Sequence, residues 1–308
     1  ELDLIAHRVV HGGEKYRGPC LINQEVIDDV KSLSRLAPLH NPPNLAGILA
    51  CKKLFPKAKQ YAVFDTAFHH TIPKHAFLYG IPIELYEKYG IRKYGFHGIS
   101  HEYVSQIAAG FLMKKDSKII SCHLGNGSSI TAIHSGESID TSMGFTPLDG
   151  LIMGTRSGDI DPEIILYLLG RKHYSIAGLE DLLNKKSGMK AICGFSDMRE
   201  VRDAALKGSK NARLAIDMLA YRIAFYIGGY AAALDGVDAI VFTGGIGENA
   251  AYLRTKVCQF LSHLGVLLDE KENKYNRIII SSSKSETKVY VIPTNEELMI
   301  VKKVKKII

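Results

Sequence analysis

The sequence predicts an α/β protein with mixed β-sheets flanked by helices and divided into two lobes. Strand-like apolar runs alternate with segments of helical periodicity along the chain, which is typical of this class. The 308 residues also exceed what one hydrophobic core normally holds, because single cores stop growing at roughly 250 to 300 residues. We therefore expect two cores, one in each lobe.

The first part of the chain predicts strands and helices in alternation. Residues 2–10 form a strand-like run, and a helix is expected over 24–36, where the prolines of "APLHNPPN" end it because they lack an amide donor. The segment "YAVFDTAF" over 61–68 predicts another strand, with Asp65 inside it. A further helix is expected to begin at the serine or the histidine of "GISHEY".

The later part of the chain continues the alternation. Two β-patterned runs around "GNG" predict a hairpin over 118–133. Helices are expected from near Pro162, where proline follows a capping aspartate, and over 212–227 from apolar spacing. Both "DAIVFTGGIGENAAYLRTK" and "KVYVIPTNEELMIVKK" predict a strand, a turn and a helix.

Charge and composition narrow the class of protein. The formal net charge of +7 favours anionic ligands, but the basic residues are scattered and the terminal "KKVKKII" is typical of a solvated helix face rather than a nucleic-acid patch. Five separated cysteines without a C-x-x-C pair favour a reducing compartment. The longest apolar run, 223–234, is too short to cross a bilayer. We expect a soluble, cytoplasmic protein that binds neither nucleic acid nor membrane.

The glycine turn in "HLGNGSS" permits two interpretations. Asn126-Gly127 is a common two-residue hairpin turn, because both positions must accept positive φ. A turn without bulky side chains, flanked by serine hydroxyls, also lets phosphate oxygens approach the backbone amides closely. The local residues leave both open.

A second glycine turn, "FTGGIGENA", matches the dinucleotide fingerprint G-x-G-x-x-G/A through Gly245, Gly247 and Ala250, with Asp269 near the expected acidic position. A dehydrogenase is therefore a rival hypothesis. The residues that follow offer one further strand and one helix, too few for the rest of a dinucleotide-binding half. Two phosphate-type turns in one chain instead favour a kinase or ATPase.

Phosphoryl transfer requires cations around the moving group and a metal ligand. Arg8 in an apolar strand and Arg156 between small residues are candidate cations, although either could form a structural ion pair. His97 lies beside a glycine and is another candidate, against the alternative of a structural histidine. Asp65 interrupts its apolar strand and needs a partner or a metal.

The acidic pair in "PTNEEL" divides into two roles. Thr294 and Glu297 have the spacing of a capping box, in which each satisfies an amide at a helix N-terminus. This leaves Glu296 free to point elsewhere. It is the predicted metal ligand.

Together these stretches resemble the acetate kinase family. Eight blocks match that family's signatures in the same order: "HRVVHGGEKY", "LAPLHNPPN", "VFDTAFHHTIP", "RKYGFHGISH", "HLGNGSSITAI", "DTSMGFTPLDGLIMGTRSGDIDP", "FTGGIGEN" and "IPTNEEL". The resemblance implies the two-lobed fold of the sugar kinase, Hsp70 and actin superfamily. It also implies a homodimer that transfers the γ-phosphoryl group of ATP to acetate reversibly, giving acetyl phosphate and ADP, with Mg²⁺ or Mn²⁺.

The resemblance also implies a role for each matching residue. Arg8 would hold the acetate carboxylate, Arg156 and His97 would stabilise the transition state, Asp65 would be the catalytic aspartate and Glu296 would bind the metal. The acetate methyl pocket would consist of Val10, Leu39, Phe96 and Pro147. The nucleotide contacts would come from His123, Leu124, Gly125, Asn126, Gly127, Asp197, Met198, Arg199, Gly245, Ile246, Gly247, Glu248 and Asn249.

Acetate is already ionised at neutral pH, because a carboxyl group has a reference pKa below about 5, so the reaction needs no general base. We therefore assign Asp65 to a metal or to positioning rather than to proton abstraction. This assignment depends on the acceptor being a carboxylate, which is the acceptor that the resemblance implies.

Lobe boundaries also follow from the resemblance. Residues 1–67 and 298–308 would form the remainder of an acetate-side lobe, and 68–297 a nucleotide-binding, dimer-forming lobe. Family members carry a further N-terminal segment of roughly 80 residues, so the first lobe is expected to be incomplete. The open alternatives are a propionate or short-chain acyl kinase and a truncated nucleotide-binding module without activity.

Overall fold

The computed structural model describes residues 2–38, 40–171 and 174–308, with Arg171 described by its backbone alone. Leu39, a predicted pocket residue, lies outside the described residues. Within the described ranges, no helix combines the length and the apolar character that crossing a membrane requires.

The first β-sheet has three strands, β1 (Leu4–Val9), β2 (Cys20–Leu21) and β3 (Lys59–Phe64), in the order β1-β3-β2. Strands β1 and β3 are parallel, and β2 is antiparallel to β3. The prediction that Asp65 lies within a strand is wrong, because β3 ends at Phe64. Asp65 is the next residue, and its amide donates to the carbonyl of Val9 at 3.0 Å, which places it at the end of β1.

Five helices surround and follow this sheet: α1 (Gln24–Ser32), α2 (Asn41–Leu54), α3 (Lys74–Phe77), α4 (Ile83–Tyr89) and α5 (Gly98–Leu112). The helix predicted over 24–36 is shorter than expected, because α1 gives way to a single 3₁₀ turn. Helix α5 starts before the predicted serine or histidine. His97 precedes it in the left-handed conformation, with φ of 56°.

The second β-sheet has five strands, β4 (Lys118–Leu124), β5 (Ser128–His134), β6 (Glu137–Thr141), β7 (Ala239–Thr243) and β8 (Lys288–Val291), in the order β6-β5-β4-β7-β8. Strands β4, β7 and β8 are parallel neighbours, and β5 and β6 are antiparallel additions. The predicted hairpin is confirmed. Its turn has three residues and no left-handed glycine, so the expected two-residue turn is wrong.

The remaining helices lie mostly around the second sheet. They are α6 (Pro162–Arg171), α7 (Ile176–Lys185), α8 (Gly188–Cys193), α9 (Met198–Leu206), α10 (Lys210–Ala233), α11 (Gly244–Asn249), α12 (Ala251–Gln259), α13 (Glu270–Lys274) and α14 (Glu296–Lys305). The helices predicted near Pro162 and over 212–227 are confirmed. The second glycine motif lies within helix α11, which begins at Gly244 directly after β7 ends at Thr243.

Both sheets have helices packed against them. Helix α10 covers one face of the second sheet, where Ile223 and Ile227 share a buried cluster with Ile130. Helix α14 packs Met299 and Val304 against the first sheet. The predicted α/β class with mixed sheets flanked by helices is confirmed.

We propose the lobe boundaries 1–67 with 298–308, and 68–297. The packing of α14 on the first sheet supports this division, because it brings the C-terminal residues back to the N-terminal strands. Helix α5 also contacts α14, so the two proposed lobes share a packed boundary.

A close approach at Gly98 joins α5 to the end of the first sheet. A Cβ built on Gly98 would lie 2.1 Å from the Asp65 carbonyl oxygen, so the backbones would have to separate. We expect Gly98→Ala to lower the free energy of unfolding by about 1 to 3 kcal/mol, as overpacking does. Urea unfolding measures the change.

Gly110 provides the matched control, because it lies in the same helix and a Cβ built there would approach no described atom within 4 Å apart from its chain neighbours and the adjacent helix backbone. Gly110→Ala should raise the free energy of unfolding by about 0.5 to 1 kcal/mol, since glycine is a poor residue for a helix interior. Equal stability of the two variants would contradict the close approach at Gly98.

Candidate active site

Three charged side chains meet at the end of the first sheet. The Arg8 guanidinium donates to the Asp65 carboxylate, with Nε to Oδ1 at 3.0 Å and Nη2 to Oδ2 at 2.7 Å. Its Nη1 donates to Glu296 Oε2 at 3.2 Å. Because Asp65 follows β3 and Glu296 begins α14, Arg8 connects two elements that are distant in sequence.

Burial and charge oppose each other in this group. Burial would lower the pKa of Arg8, but the Asp65 charge and hydrogen bonds raise it above its usual range. Burial raises the pKa of Asp65, whose side chain is 2% exposed, although Arg8 opposes the shift. Burial also raises the pKa of Glu296, against the pull of Arg8. Arg8 thus remains charged and faces two carboxyl groups.

Glu296 has a carboxylate oxygen without a protein partner. Its Oε1 is buried and accepts no hydrogen bond from the described residues. The predicted capping box is wrong, because Asn295 is the N-cap of α14 and its side chain accepts from the amide of Leu298 at 2.9 Å. The expectation that Glu296 points away from the cap holds in this arrangement.

His97 occupies the turn between Gly95 and α5. Gly95 has φ of +76°, and a Cβ there would lie 2.4 Å from Thr141 Cγ2, so the turn packs tightly against β6. The His97 ring stacks on His123, with centroids 4.3 Å apart. Its Nδ1 lies 2.9 Å from Ser129 Oγ. These contacts hold the ring between the turn and the second sheet.

His97 belongs to a group of four partly or fully buried histidines with serine partners or neighbours. His101 bridges Ser121 and Ser129, at 3.0 Å and 2.7 Å. His69 contacts Ser138 at 2.9 Å, and His123 contacts Ser100 at 2.8 Å. Sequence analysis missed His69 and His101, since their hydroxyl partners come from strands far along the chain.

Burial lowers the pKa of every histidine in this group. The shift takes His69 and His123 to a pKa of about 4, and takes His97 and His101 well below their ordinary value. The neighbouring histidines and the two arginines add to the shift at His97. The four rings are therefore neutral near pH 7.

Arg156 is a partly buried cation for which the described residues supply no carboxylate partner. Its recorded contacts are from Nη1 to the Pro147 carbonyl at 3.4 Å and to Met153 Sδ at 3.7 Å, and burial lowers its pKa. A Cβ built on Gly127 would lie 3.5 Å from Arg156 Nη1 and 3.4 Å from His97 Nε2. The glycine turn, Arg156 and His97 therefore converge at one point.

A cavity of about 760 Å³ lies between the two glycine segments. Eight residues of the predicted nucleotide set line it: Gly125, Asn126, Asp197, Met198, Arg199, Gly245, Ile246 and Asn249. Sequence analysis missed Ser196, Arg202, Asp203, Ala250 and Tyr252, which also line it. Its mouth holds an Asp197–Arg199 ion pair at 2.5 Å.

The other predicted nucleotide residues support this cavity from outside its lining. Glu248 Oε1 accepts from the amides of Gly244 and Thr294, at 3.0 Å and 3.3 Å. Gly247 is buried, and a Cβ there would contact β4 and β7. His123 and Leu124 end β4, and Gly127 closes the turn. Asp269, part of the rival fingerprint, caps α13 by accepting from two amides.

A smaller cavity of about 260 Å³ has Arg156 in its lining. Pro147, one of the residues predicted for the acetate methyl pocket, lines it together with His40 and Thr146, which sequence analysis missed. Helix α7 forms another wall. The predicted residues Val10 and Phe96 pack in an adjoining apolar cluster with Met143 and Met153.

The arrangement can be compared with known proteins. The model of the acetokinase family matches residues 1–302. The chain belongs to this family. Curated acetokinase relatives are similar over nearly the whole chain: the acetate kinase of Carboxydothermus hydrogenoformans is 55% identical over 306 residues, and that of Thermotoga maritima 54% over 316. These alignments cover 98% and 100% of the chain, and 77% and 78% of the relatives.

Solved structures agree with the family assignment. The acetate kinase of Porphyromonas gingivalis has a TM-score of 0.95 and 46% identity, covering 100% of this chain and 78% of that one. A propionate kinase from Francisella tularensis has a TM-score of 0.94 and 48% identity, covering 97% and 78%. The predicted family and fold are confirmed, and the individual site roles stay predictions.

The neutral histidines make stability depend on pH. His69 has a pKa of about 4 in the fold against 6.5 unfolded, so the unfolded chain binds more protons between these values. Its contribution is present above pH 6.5 and is lost as pH falls towards 4. On lowering the pH from about 7.5 to about 5.5, His69 alone should account for a loss of about 1 kcal/mol in the free energy of unfolding.

Urea unfolding at both pH values, with His69→Gln as the comparison, isolates this contribution. The variant cannot titrate at this position, so its stability should fall by about 1 kcal/mol less than the wild type over the same interval. An identical fall in both proteins would contradict a buried, neutral His69.

Proposed function

We propose that this chain transfers the γ-phosphoryl group of ATP to acetate, reversibly, giving acetyl phosphate and ADP. The observation that carries the proposal is the convergence of Arg156, His97 and the Gly125–Gly127 turn between two cavities. Donors aimed at the transferring group are the main requirement of phosphoryl transfer. The family assignment supplies the class of reaction.

The two cavities suit the two substrates. The larger one has the size of a ligand pocket, and the side chains of Tyr252 and Met198 offer apolar surface to a base. The smaller one has Arg156, Pro147 and His40 in its lining. Arg8 does not line it but lies near it, since burial lowers the pKa of His40 and the charges of Arg156 and Arg8 add to this shift. We assign ATP to the larger cavity and the acceptor to the smaller one.

Asp65 acts in this proposal by holding Arg8. Its two oxygens accept three hydrogen bonds from the guanidinium, so they orient the cation that would receive the acetate carboxylate. Acetate requires no deprotonation at neutral pH. The geometry thus supports a positioning role for Asp65.

We further propose a divalent cation, Mg²⁺ or Mn²⁺, held in part by Glu296. The buried Oε1 without a protein donor is a suitable ligand atom, and Mg²⁺ commonly takes one or two carboxylates together with substrate phosphates and water. The described residues contain no group of three acidic, histidine or cysteine side chains that could hold a metal alone, which fits a cation shared with ATP. When bound, the cation would neutralise phosphate charge.

The test is formation of acyl phosphate, trapped as the hydroxamate, from ATP, Mg²⁺ and acetate. Arg156→Ala should reduce the rate by at least about 100-fold, since it removes a cation from the transferring group. Arg277→Ala is the matched control, because Arg277 is exposed and lies outside both cavity linings. It should leave the rate unchanged.

Further assays distinguish an acetate kinase from a kinase that prefers longer acyl acceptors. Propionate and butyrate, assayed beside acetate, test the acyl kinase alternative that the propionate kinase neighbour favours. A hydrophobic pocket discriminates one methylene by only about 1 to 3 kcal/mol, so the rates must be compared directly.

Glu296→Gln should raise the Mg²⁺ concentration required for half-maximal formation of acyl phosphate. Bound ADP without any product would favour a nucleotide-binding module and contradict the kinase proposal.

We also propose that the chain is a cytoplasmic homodimer. Helix α10 exposes an apolar stripe, defined here as Leu214, Met218, Tyr221 and Phe225, whose spacing of four, three and four residues places them on one helix face. Tyr221 and Phe225 are 54% and 59% exposed. Such patches on a folded protein commonly mark an interface, and a second copy of this chain is the proposed occupant.

Sedimentation of the wild type should give the mass of two chains. Tyr221→Lys combined with Phe225→Lys should shift the protein to one chain, because two charges cannot be buried in an apolar interface without partners. Met113→Lys is the control, since Met113 is 92% exposed and outside the stripe. A single-chain mass for the wild type would contradict the dimer.

A further inference from the structure

Four side chains form a continuous hydrogen-bonded chain behind His97, in the order Ser121, His101, Ser129 and His97. The successive distances are 3.0 Å from Ser121 Oγ to His101 Nδ1, 2.7 Å from His101 Nε2 to Ser129 Oγ, and 2.9 Å from Ser129 Oγ to His97 Nδ1. We call it the serine–histidine chain. It runs from the interior of the second sheet to the active site.

The interior members of this chain have no access to water. Ser121, Ser129 and His101 are each 0% exposed. Burial lowers the pKa of His101 and His97 well below the ordinary value, and the Arg8 and Arg156 charges add to the shift at His97. Both imidazoles are therefore neutral, and each has one nitrogen that donates and one that accepts.

Counting protons leaves two consistent patterns. A serine hydroxyl has one proton and two lone pairs, so Ser129 cannot donate to both histidines, and if it accepted from both, its own buried proton would lack an acceptor among the contacts of the described residues. Every group is satisfied only when Ser129 donates to one histidine and accepts from the other. If Ser129 donates to His97 Nδ1, then His97 holds its proton on Nε2 and His101 donates to Ser129 from its own Nε2. Ser121 then donates to His101 Nδ1. Reversing any one bond reverses them all.

The two patterns differ at the end that faces the substrates. His97 Nε2 lies against Gly127 and near Arg156, where the transferring phosphoryl group is expected. In one pattern Nε2 presents an N–H donor to phosphate oxygens. In the other it presents a lone pair, which would repel them.

We propose that Ser129 and His101 are positioning residues, which hold neutral His97 in the tautomer that carries its proton on Nε2. His97 then donates a hydrogen bond to the transferring phosphoryl group without being protonated. The tautomer itself is independent of the proposed function, and only its catalytic use rests on phosphoryl transfer to acetate.

The tautomer is measured by nuclear magnetic resonance of the chain labelled with ¹⁵N-histidine, with and without ADP. Imidazole ¹⁵N shifts distinguish the two neutral forms and the cation, and the spectrum of His97→Gln identifies the His97 signals. We expect His97 and His101 both to carry the proton on Nε2 in the wild type. Ser129→Ala should give a mixture of the two His97 tautomers.

Ser138→Ala is the matched control. Ser138 is also buried on a strand of the second sheet and contacts a buried histidine at 2.9 Å, but that histidine, His69, lies outside the serine–histidine chain. Ser129→Ala leaves two buried imidazole nitrogens without their hydroxyl partner and Ser138→Ala leaves one, so both variants should lose stability and Ser129→Ala should lose more. Only Ser129→Ala should change the His97 signals.

Kinetics of acyl phosphate formation give the second readout. Ser129→Ala should lower kcat by about 10- to 100-fold, as loss of a residue that orients a reacting group commonly does, while the KM for ATP stays within about twofold. Ser138→Ala should change neither constant by more than about twofold. A lower kcat with an unchanged KM for ATP, seen only in Ser129→Ala, would distinguish a positioning role from a general loss of folding.

The outcomes decide each claim separately. A wild-type His97 that carries its proton on Nδ1, or that is cationic near pH 7, would overturn the proposal. Equal effects of Ser129→Ala and Ser138→Ala on kcat would overturn it as well. If the wild type forms no acyl phosphate, the proposed function fails, while the tautomer measurement still decides whether the serine–histidine chain fixes His97.

Discussion

Asp65 is the residue on which the geometry of the site depends. Its amide donates to Val9 at the end of β1, its carbonyl accepts from Gly98 at the start of α5, and its carboxylate holds Arg8. Arg8 in turn reaches Glu296 at the start of α14. One residue just beyond a strand therefore fixes three other segments relative to each other.

The electrostatics follow from the two arginines. Arg8 is balanced by carboxylates, whereas burial lowers the pKa of Arg156, to which no carboxylate within the described ranges is paired. Burial, followed by the neighbouring histidines and then by the charges of these two arginines, lowers the pKa of His97 and keeps its ring neutral. A neutral ring donates from only one nitrogen, so His97 can donate to an anion from Nε2 only in the tautomer that leaves Nδ1 as the acceptor. In our proposal, the hydroxyl of Ser129 selects this tautomer.

The sequence predicts what depends on local pattern. Alternating strands and helices and the hairpin are of this kind, and the family blocks add the candidate residues, among them Gly127, Arg156 and His97. It could not predict contacts that join distant strands, such as those of His101 and Ser129. The capping box failed because Asn295, one residue later, offers a better-placed carboxamide than Thr294, whose hydroxyl contacts Ser100.

The smaller cavity differs from the rest of the site in what builds it. Its walls come from loops and α7, whereas Arg8, Asp65 and His123 lie in strands or at strand ends. Loop residues can change with little effect on a sheet. Under the proposed assignment of the acceptor to this cavity, substitutions in these loops would change the acyl acceptor and leave the strand residues of the site in place.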